Sequence, residues 1–138
     1  MPFPTNFRKL LFALLVATAG ALTAQAQEGE ASQMSFSNLQ VQANTLVERG
    51  QLVEAMPLLK ELITRVEGAT ETGAEKIKLD FPIFLVGTGY IQLYINTGDK
   101  SNLEQTLQLY NKLEKEFPRS HKIKYSSLKK IDVFRTVG

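Results

Sequence analysis

The sequence predicts an all-α chain of antiparallel helix-turn-helix hairpins, about two and a half of them in five helices. Three observations carry this expectation. Apolar residues recur at helical spacing in successive segments, and no segment reads as a convincing strand. Glycines fall where the periodicity stops. The order of features also repeats: Leu39, Ala43, Leu46, Gly50, Ala55, Leu59 and Leu62 in the first half are matched by Tyr90, Tyr94, Gly98, Thr106, Tyr110, Leu113 and Pro118 in the second.

The chain starts with two cations, Arg8 and Lys9, followed by the 13-residue apolar run Leu10–Leu22 and the small residues of Ala24-Gln25-Ala26. This is the layout of a secretory signal peptide over residues 1–26, cleaved near Ala26/Gln27. The run is shorter than the roughly 20 residues a spanning helix needs. The expected protein is therefore exported, periplasmic or secreted. Cleavage removes two of the 16 basic residues and none of the 14 acidic ones, so the mature chain is neutral. That charge gives no reason to expect nucleic acid as a partner. There are no cysteines. Disulfides, thiolate metal sites, cysteine-dependent catalysis and a cysteine-linked lipid anchor are all excluded.

Residues 27–35 are small and polar and are expected to be a flexible start, with a helical repeat domain over 36–138. In its first hairpin (36–68), Phe36, Leu39, Ala43, Leu46 and Val47 share one helical face, and Gly50 makes the turn. Leu52, Ala55, Leu59, Leu62, Ile63 and Val66 mark the second helix. Pro57 is placed near its start, and Gly68 is expected to close it. Residues 69–80 read as a linker. The second hairpin (81–118) opens at Pro82 with an uncharged helix from Phe81 to Gly98. Such a helix should be buried over most of its circumference, with Gly87 and Gly89 letting a neighbouring backbone approach. Ser101 or Asn102 is expected to cap the next helix, whose stripe is Leu103, Leu107, Tyr110, Leu113 and Phe117. Pro118 ends it. Residues 119–138 form the last helix, with Ile123, Leu128, Ile131 and Phe134 as apolar positions that call for a partner.

The repeated pattern resembles the tetratricopeptide repeat (TPR), a helix-turn-helix unit of about 34 residues that stacks into an α-solenoid. Ala43, Leu46, Gly50 and Ala55 match its small, large, turn and small positions, with Leu59 and Leu62 following at the right spacing. In the second half Tyr94, Gly98, Tyr110, Leu113 and Pro118 match. The departures are Glu67 in place of the closing proline, Thr106 in place of alanine, and a second turn three residues longer than usual. The stretch "KLEKEFPRS" and the helix after it are also similar to exported bacterial envelope members of the superfamily, many of which are lipid-anchored as this chain cannot be. The competing reading of the same residues is an unrelated small helical bundle.

The resemblance implies a non-catalytic scaffold that binds a protein or peptide in the cell envelope. It also implies a ligand groove lined by the first helix of each repeat. That lining would be Gln40, Asn44 and Glu48, then Thr88, Gln92 and Asn96. Amides and a hydroxyl suit an extended peptide backbone. The same residues also fit a structural role in which Gln92 and Asn96 satisfy one another. No lysine or arginine stands on these faces to clamp a C-terminal carboxylate. A second candidate is the basic stretch Arg119, Lys122, Lys124, Lys129 and Lys130, which fits an acidic partner or, more simply, a solvated face. His121 is the only histidine, so no histidine metal cluster and no cofactor are expected, and no residues fill the roles of a catalytic triad. The functional alternative is a structural unit, completed by a homo-oligomer or by missing C-terminal repeats of a longer array.

Overall fold

Ser35 begins the first long helix in an extended conformation, and its hydroxyl accepts the Asn38 N–H at 3.3 Å. In the computed structural model, which describes residues 29–69 and 78–137, five such helices follow one another. They are α1 (Phe36–Glu48), α2 (Leu52–Ala69), α3 (Asp80–Thr97), α4 (Ser101–Glu116) and α5 (Lys122–Val137). The described residues contain no strand, so the all-α class stands. The chain divides into two compact units, residues 1–34 and 35–138. In the first, residues 29–33 are helical, which adds a sixth helix to the five the sequence predicts. The signal-peptide residues 1–26 and most of the 69–80 linker lie outside the described residues.

Within residues 35–138 each helix packs on the next, and α5 also reaches back to α3. The two glycine turns are as expected. Gly50 and Gly98 have φ of 74° and 73°, a left-handed conformation that other residues adopt at a cost. Gly98 donates its N–H to the Tyr94 carbonyl at 2.7 Å and closes α3. Gly68 behaves differently. It lies inside α2, which runs on to Ala69, because a glycine ends a helix only where it turns left-handed. Pro57 falls in the second turn of α2, beyond the unpartnered first-turn N–H groups, so the helix tolerates one forgone backbone bond there. The cap of α4 also differs from expectation. Ser101 is the first helical residue, and the Asp99 carboxylate accepts its N–H at 3.0 Å.

The core runs along the crossing of α3 and α4. Gly87 and Gly89 do permit a close approach, but of side chains. A Cβ on Gly87 would meet the Tyr110 ring at 2.6 Å, and one on Gly89 would meet the Met56 sulfur at 2.6 Å. Thr106 explains its departure from the repeat pattern. It is fully buried, and its hydroxyl donates to the Gly87 carbonyl on the neighbouring helix at 2.9 Å. An alanine would fill the space without that link. Phe117 and Leu113 complete a cluster with Leu79 and Ile83, flanked by Ile63, Val66 and Ile123. Ser120 then fastens the start of α5. Its hydroxyl donates to Asp80 at 2.5 Å and accepts the Lys122 N–H at 3.1 Å.

One apolar stretch is less buried than expected, and a second shows the open apolar positions that the sequence pointed to. Ile83, Leu85 and Val86 in the first half of α3 are buried, but Phe81 at its start is exposed and Ile95 near its end is 66% exposed. In α5 the four expected apolar positions do not share a face. Ile123 is half-buried, whereas Leu128, Ile131 and Phe134 face solvent, and the buried side is formed by Ser126 and Val133. Leu128 follows Ile123 by five residues, which puts the two on opposite sides of a 3.6-residue helix.

Candidate functional site

The six groove residues predicted from the sequence are only partly available. Gln40, Asn44 and Glu48 recur every four residues along α1 and are all exposed. Gln92 and Asn96 are exposed one turn apart on α3, and the Gln92 amide donates to the Asn96 carbonyl oxygen at 3.2 Å. Thr88 is turned inward. Its hydroxyl bonds the Phe84 carbonyl and the Tyr110 hydroxyl, both at 2.9 Å. Burial pushes the Tyr110 phenol up to about 12, against the opposing effect of that bond. Thr88 is thus a strut between α3 and α4.

The end of α3 and the facing side of α5 enclose a cleft of about 210 Å³, and neither Gln92 nor Asn96 is among the residues that line it. Ile91, Tyr94 and Ile95 of α3 form one wall, Leu103 the floor and Val133 the other wall. Lys129, Asp132 and Thr136 supply a polar rim. The volume is below the roughly 300–1,000 Å³ of small-molecule sites and suits one or two inserted side chains. Sequence reasoning missed this cleft. The isoleucines were visible in the uncharged α3 stretch, but nothing local announced that α5 would pack only against part of it.

A second, more open cleft of about 420 Å³ lies between α2, α3 and α4. Lys60, Thr64, Tyr90, Gln105 and Lys112 line it, and the Lys60 ammonium sits 4.9 Å from the centre of the Tyr90 ring. Lys112 is already held by Glu67 at 2.6 Å.

The basic stretch does not form one surface. Lys130 is largely buried and pairs with Glu114 at 2.9 Å. Lys122 lies over the rings of Phe81, Tyr125 and Phe84 at 4.7, 5.6 and 5.9 Å. Lys129 joins the rim of the cleft, and only Arg119 and Lys124 are exposed. His121 is exposed at the head of α5. Glu61 pairs with Arg65 at 2.8 Å. No helix among the described residues is long and apolar enough to cross a membrane. No family model matches the chain, and neither does any curated protein or solved structure.

Proposed function

We propose that this chain is an exported, non-catalytic helical module of TPR-like arrangement that binds a protein segment in the cell envelope. The observation that carries the reading is the cleft between α3 and α5, with its apolar walls and polar rim. Ile95, left 66% exposed at its edge, is the kind of residue that a bound side chain would cover. The exposed amides Gln92 and Asn96, one turn apart beside Ile95, offer hydrogen bonds to a peptide backbone. Export rests on the layout of residues 1–26, and the repeat reading on the glycine turns and the spacing that follows them.

A peptide-array screen on the purified mature chain tests this. Bound peptides should share an apolar anchor, and Ile95→Asp or Val133→Asp should remove their binding. Peptides that bind equally well to both variants would refute the cleft as the site. A second reading, a structural or oligomerising unit or part of a longer array, is favoured by the uncovered outer side of α5. Light scattering on the mature chain separates a monomer from a self-assembling unit.

A further inference from the structure

The outer side of α5 is a surface separate from the cleft. Leu128, Ile131 and Phe134 recur every three residues and are 57%, 49% and 58% exposed. Lys124, Ser127 and Arg135, all exposed, are interleaved with them on the side away from Ser126 and Val133. Among the described residues neither Lys124 nor Arg135 has an ion-pair partner. The one acid in α5, Asp132, is exposed at the rim of the cleft and borders the stripe, one turn from Leu128 and Arg135. The surface therefore combines an apolar stripe with two cations, Lys124 and Arg135, and a single acid at its cleft-side border.

We infer that the outer side of α5 docks an acidic amphipathic helix of another protein, one that sets leucine-like residues against Leu128, Ile131 and Phe134 and carboxylates against Lys124 and Arg135. Helix-on-helix packing buries such a stripe, and complementary charge selects the partner. From Lys124 to Arg135 the stripe is about 17 Å long at 1.5 Å per residue, so a partner helix of about three turns covers it. A second copy fits less well. Two-fold pairing of α5 with itself sets two cations of each copy against two of the other, with only the bordering Asp132 of each as an acid. Head-to-tail pairing sets the apolar stripe against the outer side of α1, where Ser37, Asn38, Asn44 and Glu48 are exposed and Val41 is the main apolar residue. An anionic membrane fits less well too, since lipid-binding clusters carry about four to eight cations and this side carries two.

The test uses a labelled synthetic amphipathic helix, with leucines at i, i+3, i+4 and i+7 and glutamates on both flanks, and a twin with lysines in place of the glutamates. Fluorescence anisotropy on the full mature chain should give binding of the acidic peptide, with the basic twin at least about tenfold weaker. Phe134→Asp should abolish binding. K124E with R135E should reverse the preference between the twins. Both variants alter exposed residues, and circular dichroism confirms that they fold. Ile95→Asp, in the cleft, should leave acidic-peptide binding unchanged, so this surface and the cleft can fail separately. Failure of the acidic peptide to bind, equal binding of the twins, or a preference that survives the charge swap overturns the inference. So does loss of binding in Ile95→Asp, a dimer that Phe134→Asp dissolves, or capture of the chain by anionic vesicles that Phe134→Asp abolishes.

Discussion

The crossing of α3 and α4 and the outer side of α5 treat similar residues in opposite ways. At the crossing, the Tyr110 ring packs against Gly87, Thr106 bonds the Gly87 carbonyl, and Thr88 bonds the Tyr110 hydroxyl. Each polar group there has a partner, and no buried side-chain polar atom among the described residues lacks one. On the outer side of α5, three large apolar residues stand in solvent between unpaired cations. The crossing is built for stability, where substitutions cost folding free energy. The edge contributes little to the fold of the single chain, so substitutions there should cost recognition instead.

The same substitution in both regions tests this most sharply. Leu113→Ala, in the buried cluster with Phe117, should cost about 2–5 kcal/mol in denaturant unfolding. Leu128→Ala should stay within about 0.5 kcal/mol of the parent. Comparable losses would mean that α5 is covered in solution.

Next in size is a contrast inside the crossing. Gly87→Ala places a methyl 2.6 Å from the Tyr110 ring, which is buried and cannot swing aside. Overpacking of about 1–3 kcal/mol should outweigh the helix-propensity gain of about 1 kcal/mol. Gly89→Ala meets the flexible Met56 thioether, so its melting temperature should fall less or even rise. The reverse order would place the tightest contact elsewhere.

Tyr110 also predicts a pH dependence. Its phenol is raised from 10.0 to about 12 in the folded chain, so the neutral form is the one the fold favours. Its contribution is fully present below about pH 10 and is lost as pH rises to about 12, with an upper limit of roughly 3 kcal/mol that partial solvent access reduces. Alkaline unfolding of Tyr110→Phe should be flatter across this window, and an unchanged profile would count against the burial of the phenol. The smallest effect is expected at the edge of α4. The Asp99 carboxyl is held below its usual range by hydrogen bonds from Ser101, so its help is present above that range and fades as pH falls. Asp99→Ala should lower the melting temperature slightly at neutral pH and leave it unchanged in acid.

Much of the fold was legible in local patterns. Helix periodicity and the glycines at 50 and 98 depend on residues a few positions apart, and the helix bounds fall close to where those patterns put them. Gly68 misled because glycine permits a left-handed turn without requiring one. Thr106 was visible only as a departure from a pattern, since its bond to the Gly87 carbonyl spans 19 residues. The candidate site was less legible. Gln92 and Asn96 were placed correctly on one exposed face, but Thr88 was not, because its partner Tyr110 comes from another helix. The basic stretch was continuous in the sequence and is dispersed in space, since residues 122, 124, 129 and 130 point in different directions around one helix.

By itself the sequence determined that this chain is helical, where its turns fall and that it lacks cysteine chemistry. These follow from periodicity, from backbone freedom at single glycines and from composition. Only the tertiary structure decided which side of α5 is covered, which hydroxyls are struts and where α3 and α5 leave a cleft. Those outcomes depend on which helices meet, and residues far apart in the chain carry no local signature of their meeting.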